Sequence, residues 1–205
     1  LRAGSDIVFN ADINTQGGNL TATADRIQLG GYSLNTGYDG DISLVAAGDV
    51  TTFDTAASLM GRDVLISSRD GSILAGQADV GANGRVQLRT DRFLQLGTIS
   101  TNAGDWASPG RADSSVSLSA GTGIDVRGID THADVYRLSA EDDVASNAIA
   151  NASVSALTEG GNIRVGAIST YASIGTGNGD RDTQLSPGYA GDVTADASVR
   201  LQSKG

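Results

Sequence analysis

The sequence contains no cysteine, which excludes a disulfide framework and any thiolate-held metal. Its one histidine, His132, lacks the further imidazole or thiolate partners that a zinc site needs. Lys204 is the only lysine, so most lysine-based covalent chemistry is removed as well. Prolines number two and aromatic residues make up 4%. The purely aliphatic runs stop at about four residues, as in LVAA at 44–47, far short of the ~20 that a membrane span needs. No signal peptide opens the sequence, so the compartment is not written in it directly. Positive charge is also scarce: 14 basic against 24 acidic residues leave a net charge of −10, which argues against nucleic acid or an anionic membrane as partner. What is abundant is glycine, 28 in 205 residues, roughly twice its usual ~7% share. Glycine-rich and proline-poor, with aliphatics that recur regularly, the chain fits many tight turns between short strands rather than a disordered coil.

The recurrence has a defined unit. LQLGTIST at 94–101 returns as IDVRGIDT at 124–131 and IRVGAIST at 163–170. Aliphatic residues two places apart put their side chains on one face of a strand, and Gly97, Arg127-Gly128 and Gly166 suit a bend before the next aliphatic. The closing triplet recurs as Ile13-Asn14-Thr15, Leu34-Asn35-Thr36 and Phe53-Asp54-Thr55. First strands of the unit are expected to start at Leu20, Ile42, Val64, Val86, Val116, Val135, Val154 and Val193. Second strands follow at Ile27, Val50, Ile73, Leu94, Ile124, Val144, Ile163 and Val199. Turn residues precede them, as in Gly18-Asn19, Gly40-Asp41 and Gly48-Asp49, where Gly, Asn and Asp tolerate the left-handed backbone of a sharp corner. Three short strands per repeat of about 20 residues predict a coil of parallel strands. A helix over 139–158, alanine-rich and free of Gly and Pro, is the competing reading; Val144, Ile149 and Val154 fall where the repeat needs strand residues. The fold expected is all-β: a right-handed parallel β-helix of about eight to nine coils. Stacked about 4.8 Å apart, eight coils make a rod roughly 40 Å long.

Two departures from regularity stand out, at 102–115 and 171–192. Both follow the same triplet, so both are expected to leave the rod as long loops at one corner, three coils apart. They share SPGRA at 108–112 and SPGYA at 186–190, and they hold both prolines, outside the strand ladders as the missing N–H requires. Loops on a rigid scaffold are where recognition usually sits. Residues 1–205 read as one β-helix segment. With no cap legible at either end, the expectation is a slice of a longer coil, or a unit that stacks end to end on neighbouring coils or subunits.

Aliphatic-x-Thr, a glycine-rich loop, Gly-Asn or Gly-Asp and then aliphatic-x-aliphatic, as in GNIRV at 161–165 and GDVTA at 191–195, resembles the filamentous-haemagglutinin type of secreted exoprotein. The resemblance covers nearly all of the chain as repeat style. It implies a right-handed parallel β-helix, two-partner secretion through a dedicated outer-membrane transporter, an extracellular place at the bacterial cell surface, and adhesion to a glycan or protein receptor. The Asn-Pro-Asn motifs of that family's secretion domain are not in this sequence, so the segment corresponds to shaft.

Candidate chemistry is sparse. Asp142-Asp143 has the paired carboxylates of a glycosidase, without an accompanying column of His, Arg or further Asp; a solvated turn is the plainer reading. His132 reads as a surface residue at a coil corner. Asn178, Asp180 and Asp182 have the alternate-residue oxygen spacing of a calcium loop, but Thr183 stands where glycine is expected and Tyr189 where the distal glutamate would be. Calcium is thus the one ion to consider; no other cofactor is implied. Thr15, Thr36, Thr55, Thr101, Thr131 and Thr170 suggest an outward rank interrupted at Asp79 and Asn151, or else hydroxyls that hydrogen-bond the corners; the corners explain them better. Trp106, Tyr171 and Tyr189 lie in the insertions, where exposed aromatics can stack on sugars or anchor the loops. The expected function is a non-enzymatic adhesive shaft with no catalytic residues and no membrane insertion. The rivals are a polysaccharide-degrading β-helix of the tailspike kind and a self-assembling filament subunit.

Overall fold

A computed structural model of the chain describes residues 1–52, 56–105, 110–137, 148–176 and 193–204. The described residues form an all-β structure of parallel strands in two sheets, with no helix among them, an arrangement compatible with a parallel β-helix. One sheet holds seven strands in register: Leu20–Ala24, Ile42–Ala46, Val64–Ser68, Arg85–Thr90, Gly110–Ala120, Ala148–Thr158 and Val193–Ser203. The other, of twelve strands, is two ranks joined. Its second rank runs from Asp6–Phe9 to Ile163–Val165 and its third from Ile13–Asn14 to Ile168–Thr176. Phe93–Asp105 and Gly123–Arg137 each pass from one rank into the other without a break.

The register explains why the sequence repeats. Ile27, Val50, Ile73, Leu94, Ile124 and Ile163 lie side by side, and Leu20, Ile42, Val64, Val86, Val116, Val154 and Val199 form a matching ladder. No single turn of chain could bury such side chains alone; each is covered by the next. The result is one core in which Ile27, Leu44, Ile66, Leu88 and Leu94 have no exposed surface. Corner acids are part of the same stacking. Asn19, Asp49 and Asp63 accept hydrogen bonds from the backbone N–H groups of Asp41, Ser72 and Arg85, each in the next turn of chain, at 2.7–2.8 Å. Asp6 and Asp41 form two-bond pairs with Arg26 and Arg62. Glycine is obligatory where turns touch. A Cβ at Gly121 or at Gly161, which has φ +80°, would run into the carbonyl oxygens of Asp91 and Thr122.

Several expectations are corrected by pairing. Val135 does not open a first strand: it continues Gly123–Arg137, opposite Asp105 and Ile174, because no turn interrupts the chain after Thr131. Val199 is a first-rank residue beside Val154, and Val193 stands beside Ala148. The two insertions therefore lie two pairings apart, with Thr101, Thr131 and Thr170 adjacent, and a third insertion follows Thr131. The segment competing as helix is strand at Ala148–Thr158. Thr36, Thr101 and Thr131 have no exposed surface, so they form no outward rank. Thr36 donates to the Gly40 carbonyl at 2.7 Å and Thr15 to that of Gly18, as corner hydrogen bonding requires. The position beside Thr36 belongs to Gly61, and the one beside Thr101 to Ala82. Val144 and the Phe53-Asp54-Thr55 triplet lie outside the described residues.

Candidate functional site on the strand extension

The described parts of the insertions are strands, not loops. Past Thr101, Thr131 and Thr170 the third rank runs on as 102–105, 132–137 and 171–176. The first rank begins early, at 110–115, 148–153 and 193–198. These segments pair within each layer as regularly as the rest. Between the layers lies a second small core of Ala103, Ala112, Ala133, Val135, Ala150 and Ala152, with Ala172 and Ile174 half-buried against it. Alternation is what builds it: residues 133 and 135 point in, so 130, 132 and 134 point out.

At the junction of the two cores, Ser114 Oγ donates to Thr101 Oγ1 at 2.6 Å, and both are buried. One pairing further on, Ala152 takes the place of Ser114, and the buried Thr131 hydroxyl has no hydrogen-bond partner among the described residues. Buried hydroxyls close the opposite corner too: Ser68 donates to Gly48 O at 2.7 Å and Thr90 to Gly71 O at 2.5 Å. The sequence reading does not pick out that second set, although the Ser or Thr that closes four of the first strands, at Ser68, Thr90, Thr158 and Ser203, is its signal.

The outward face of the extension is a three-by-three array. Its columns are Ser100, Asp130, Ser169; then Asn102, His132, Tyr171; then Gly104, Asp134, Ser173. His132 Nδ1 is 3.6 Å from Asp130 Oδ1, an ion pair only when the imidazole is protonated. That same Asp130 oxygen is buried and accepts no hydrogen bond among the described residues, although the side chain as a whole is 49% exposed; the other oxygen meets the water. Ser173 Oγ donates to Asp134 Oδ1 at 2.5 Å. The His132 and Tyr171 rings lie 5.8 Å apart at 59°, the tilted arrangement that aromatic pairs favour. Tyr171 is 53% exposed. The array offers a tilted His132–Tyr171 ring pair surrounded by carboxylates, hydroxyls and an amide. Such a surface can stack on a sugar and hydrogen-bond its hydroxyls.

Of the residues singled out in the sequence, Tyr171 is in this array. His132 is not a corner residue: it sits mid-strand, between Asn102 and Tyr171. The spacing Asp130-x-His132-x-Asp134 was the available signal, hidden by placing the corner at Thr131. Trp106, Tyr189, Asn178, Asp180, Asp182 and the Asp142-Asp143 pair lie outside the described residues. Among the described residues no group of three or more His, Cys, Asp or Glu side chains is placed to hold a metal ion, and no helix is long and apolar enough to cross a membrane.

Comparison with protein-family models, curated proteins and solved structures finds no match. Function must be argued from the geometry.

Proposed function

We propose that this chain is a shaft segment of a secreted adhesin or filament at a bacterial cell surface, wound as a right-handed parallel β-helix of about eight coils. The observation that carries the reading is the unbroken parallel register, in which corner side chains such as Asn19, Asp49, Asp63 and Ser68 hydrogen-bond the backbone of a neighbouring turn of chain. A scaffold of that kind suits reach and load: stacked backbone hydrogen bonds and aliphatic ladders resist pulling, and the extension holds its polar outer face clear of the rod. The pairing of Arg2 with Thr23 supports a turn ahead of the seven first-rank strands. In this reading the segment has no catalytic role. Its partners are a glycan or protein receptor, neighbouring coils or subunits end to end, and the outer-membrane transporter of the parent chain; calcium at Asn178, Asp180 and Asp182 remains the one ion proposed.

The test is a glycan array probed with the intact segment, in calcium and in EDTA, reading both retention and released sugar. Binding without release, weakened in His132→Ala and Tyr171→Ala, supports an adhesive shaft. Released product would overturn the non-enzymatic reading and direct attention to Asp142 and Asp143.

A further inference from the structure

A second concavity lies away from the extension, at the corner where the second rank turns into the third. It has a volume of about 450 Å³ and is lined by Thr52, Leu74, Gln77, Gln95, Asp125 and Arg127, within the ~300–1,000 Å³ span of small-molecule sites. It exists because the corner is short of side chains. Gly76 and Gly97 occupy the bend in two successive turns of chain, and a Cβ on Gly97 would strike the Ala78 carbonyl. In the next turn Arg127 falls at the position of Gly97, between the pairs Leu96–Val126 and Thr98–Gly128. Its side chain reaches back across the glycine gap to donate from Nη2 to Gly76 O at 3.3 Å. That one bond leaves most of the five-donor guanidinium fork facing the groove.

Of the outward rank that passes beneath it, Leu74, Gln95 and Asp125 line the groove. Leu74 is the single apolar member and is 40% exposed. Around it stand amides that both donate and accept, a carboxylate that accepts and a guanidinium that donates. Among the described residues the side chains of Gln77, Gln95 and Asp125 make no hydrogen bond to the protein. The Arg127 and Asp125 charges balance, so the groove has no net attraction for a phosphate or a uronate, and the chain's −10 charge repels polyanions. An apolar patch for a C–H face, ringed by both donors and acceptors with no net charge, is the recognition chemistry of a neutral pyranose. We propose that this groove binds a short neutral oligosaccharide, with Leu74 under a ring face and Gln95, Gln77, Asp125 and Arg127 on its hydroxyls. Four turns of chain in register hold these groups in place before the ligand arrives, which lowers the ordering cost of binding. The site is separate from the array on the extension, and it stands whether or not the chain is an adhesin shaft.

The experiment is titration of the intact segment, by saturation-transfer NMR and calorimetry, with maltotriose, cellotriose, laminaritriose and chitotriose, and with trigalacturonate as the acidic arm. At least one neutral trisaccharide should bind. Gln95→Ala and Arg127→Ala should each weaken it about tenfold, the loss of one ligand hydrogen bond to a polar group, and Tyr38→Ala, at an exposed position outside both this groove and the array, should bind unchanged. Should Arg127→Ala lower the thermal transition, Gln95→Ala carries the test, since that side chain lies wholly outside the core. Binding of trigalacturonate alone, binding abolished by the paired His132→Ala and Tyr171→Ala substitutions in the array but indifferent to Gln95→Ala, or no binding to any of the five would each overturn the proposal.

Discussion

The rod and its extension are built from the same two sheets yet packed differently. Along the rod each turn of chain repeats at a fixed length: Leu20 lies beside Ile42, Ile42 beside Val64 and Val64 beside Val86, always twenty-two residues on. Its core is filled mainly by Ile, Leu and Val, with alanines such as Ala22, Ala46 and Ala75 among them. From Val86 onward the same ladder continues to Val116, Val154 and Val199, now thirty, thirty-eight and forty-five residues on. The described part of the added chain enters at one corner and forms two facing layers closed over alanines. The ladder is indifferent to that addition. Closing a longer loop costs only about 0.6 kcal/mol per doubling, whereas slipping a strand by one residue would turn every buried aliphatic outward. Register is therefore held by the rod core, and the corner is free to grow a second structure with a polar face.

Breaking the rod should have the largest effect. Ile124 is 1% exposed between Leu94 and Ile163, and Ile124→Asp buries a charge with no partner, a cost of several kcal/mol. We expect loss of the cooperative thermal transition by circular dichroism; a transition within a few degrees of the parent would mean the ladder is not the source of stability. Overpacking the extension should be milder and local. Ala133 has no exposed surface, and Ala133→Leu should cost about 1–3 kcal/mol. Hydrogen exchange should quicken at 132–135 and 150–152 while the Ile66 and Leu88 strands stay protected. Equal loss of protection in both regions would show that rod and extension unfold as one unit.

How much of this was legible follows from the same contrast. The strand periods, the corner glycines and the three-rank repeat could be read because a large aliphatic recurs in each buried ladder, as at Leu20, Ile42, Val64 and Val86, and stands out from its polar neighbours. The extension could not be read that way. Ala103, Ala112, Ala133 and Ala150 are as common outside a core as inside it, so the strands they define passed for loops. Val135, the one large residue of the second core with no exposed surface, reads in the sequence as the start of a new turn. The array on the outer face was missed with it: a single residue, Tyr171, was recognised, and His132 was assigned to a corner that is the middle of a strand. The groove at Leu74 and Arg127 was out of reach for another reason. Its residues are distant in sequence and meet only through the pairing of successive turns.

The junction between the two cores provides a sharper comparison of smaller size. Thr101→Val leaves the buried Ser114 hydroxyl without its acceptor, which should cost about 1–3 kcal/mol. Thr131→Val, one pairing away, removes a buried hydroxyl that has no partner among the described residues and should stabilise by about 1 kcal/mol. Chemical denaturation of the two variants should thus move in opposite directions. A matched loss in both would mean that the Thr131 hydroxyl is hydrogen-bonded as its neighbour is.

The smallest effect concerns acid. Asp113 lies on the opposite outer face of the extension, where Asn151 Nδ2 donates to Oδ1 at 2.8 Å and Arg111 Nε to Oδ2 at 2.5 Å. Burial pushes the carboxyl up, but those two hydrogen bonds, with the Arg111 and Arg85 charges, outweigh it and hold it below the ordinary value of 3.8. A depressed carboxyl stabilises the folded state at pH above its unfolded value, and that contribution is lost as pH falls through the folded one. The group is largely open to water, so the contribution is small. In Asp113→Asn the extension should lose stability at neutral pH, and the two proteins should converge once the parent carboxyl is protonated. Asn151→Ala should raise the Asp113 titration toward the ordinary value, as read from its carboxyl carbon by NMR. The Asn151 bond ties Gly110–Ala120 to Ala148–Thr158 from outside, as Arg62 and Asp41 tie successive turns of the rod. An Asp113 titration unmoved by Asn151→Ala would therefore mean that these two strands are held side by side by their backbone ladder without the polar stitching that the rod uses at its corners.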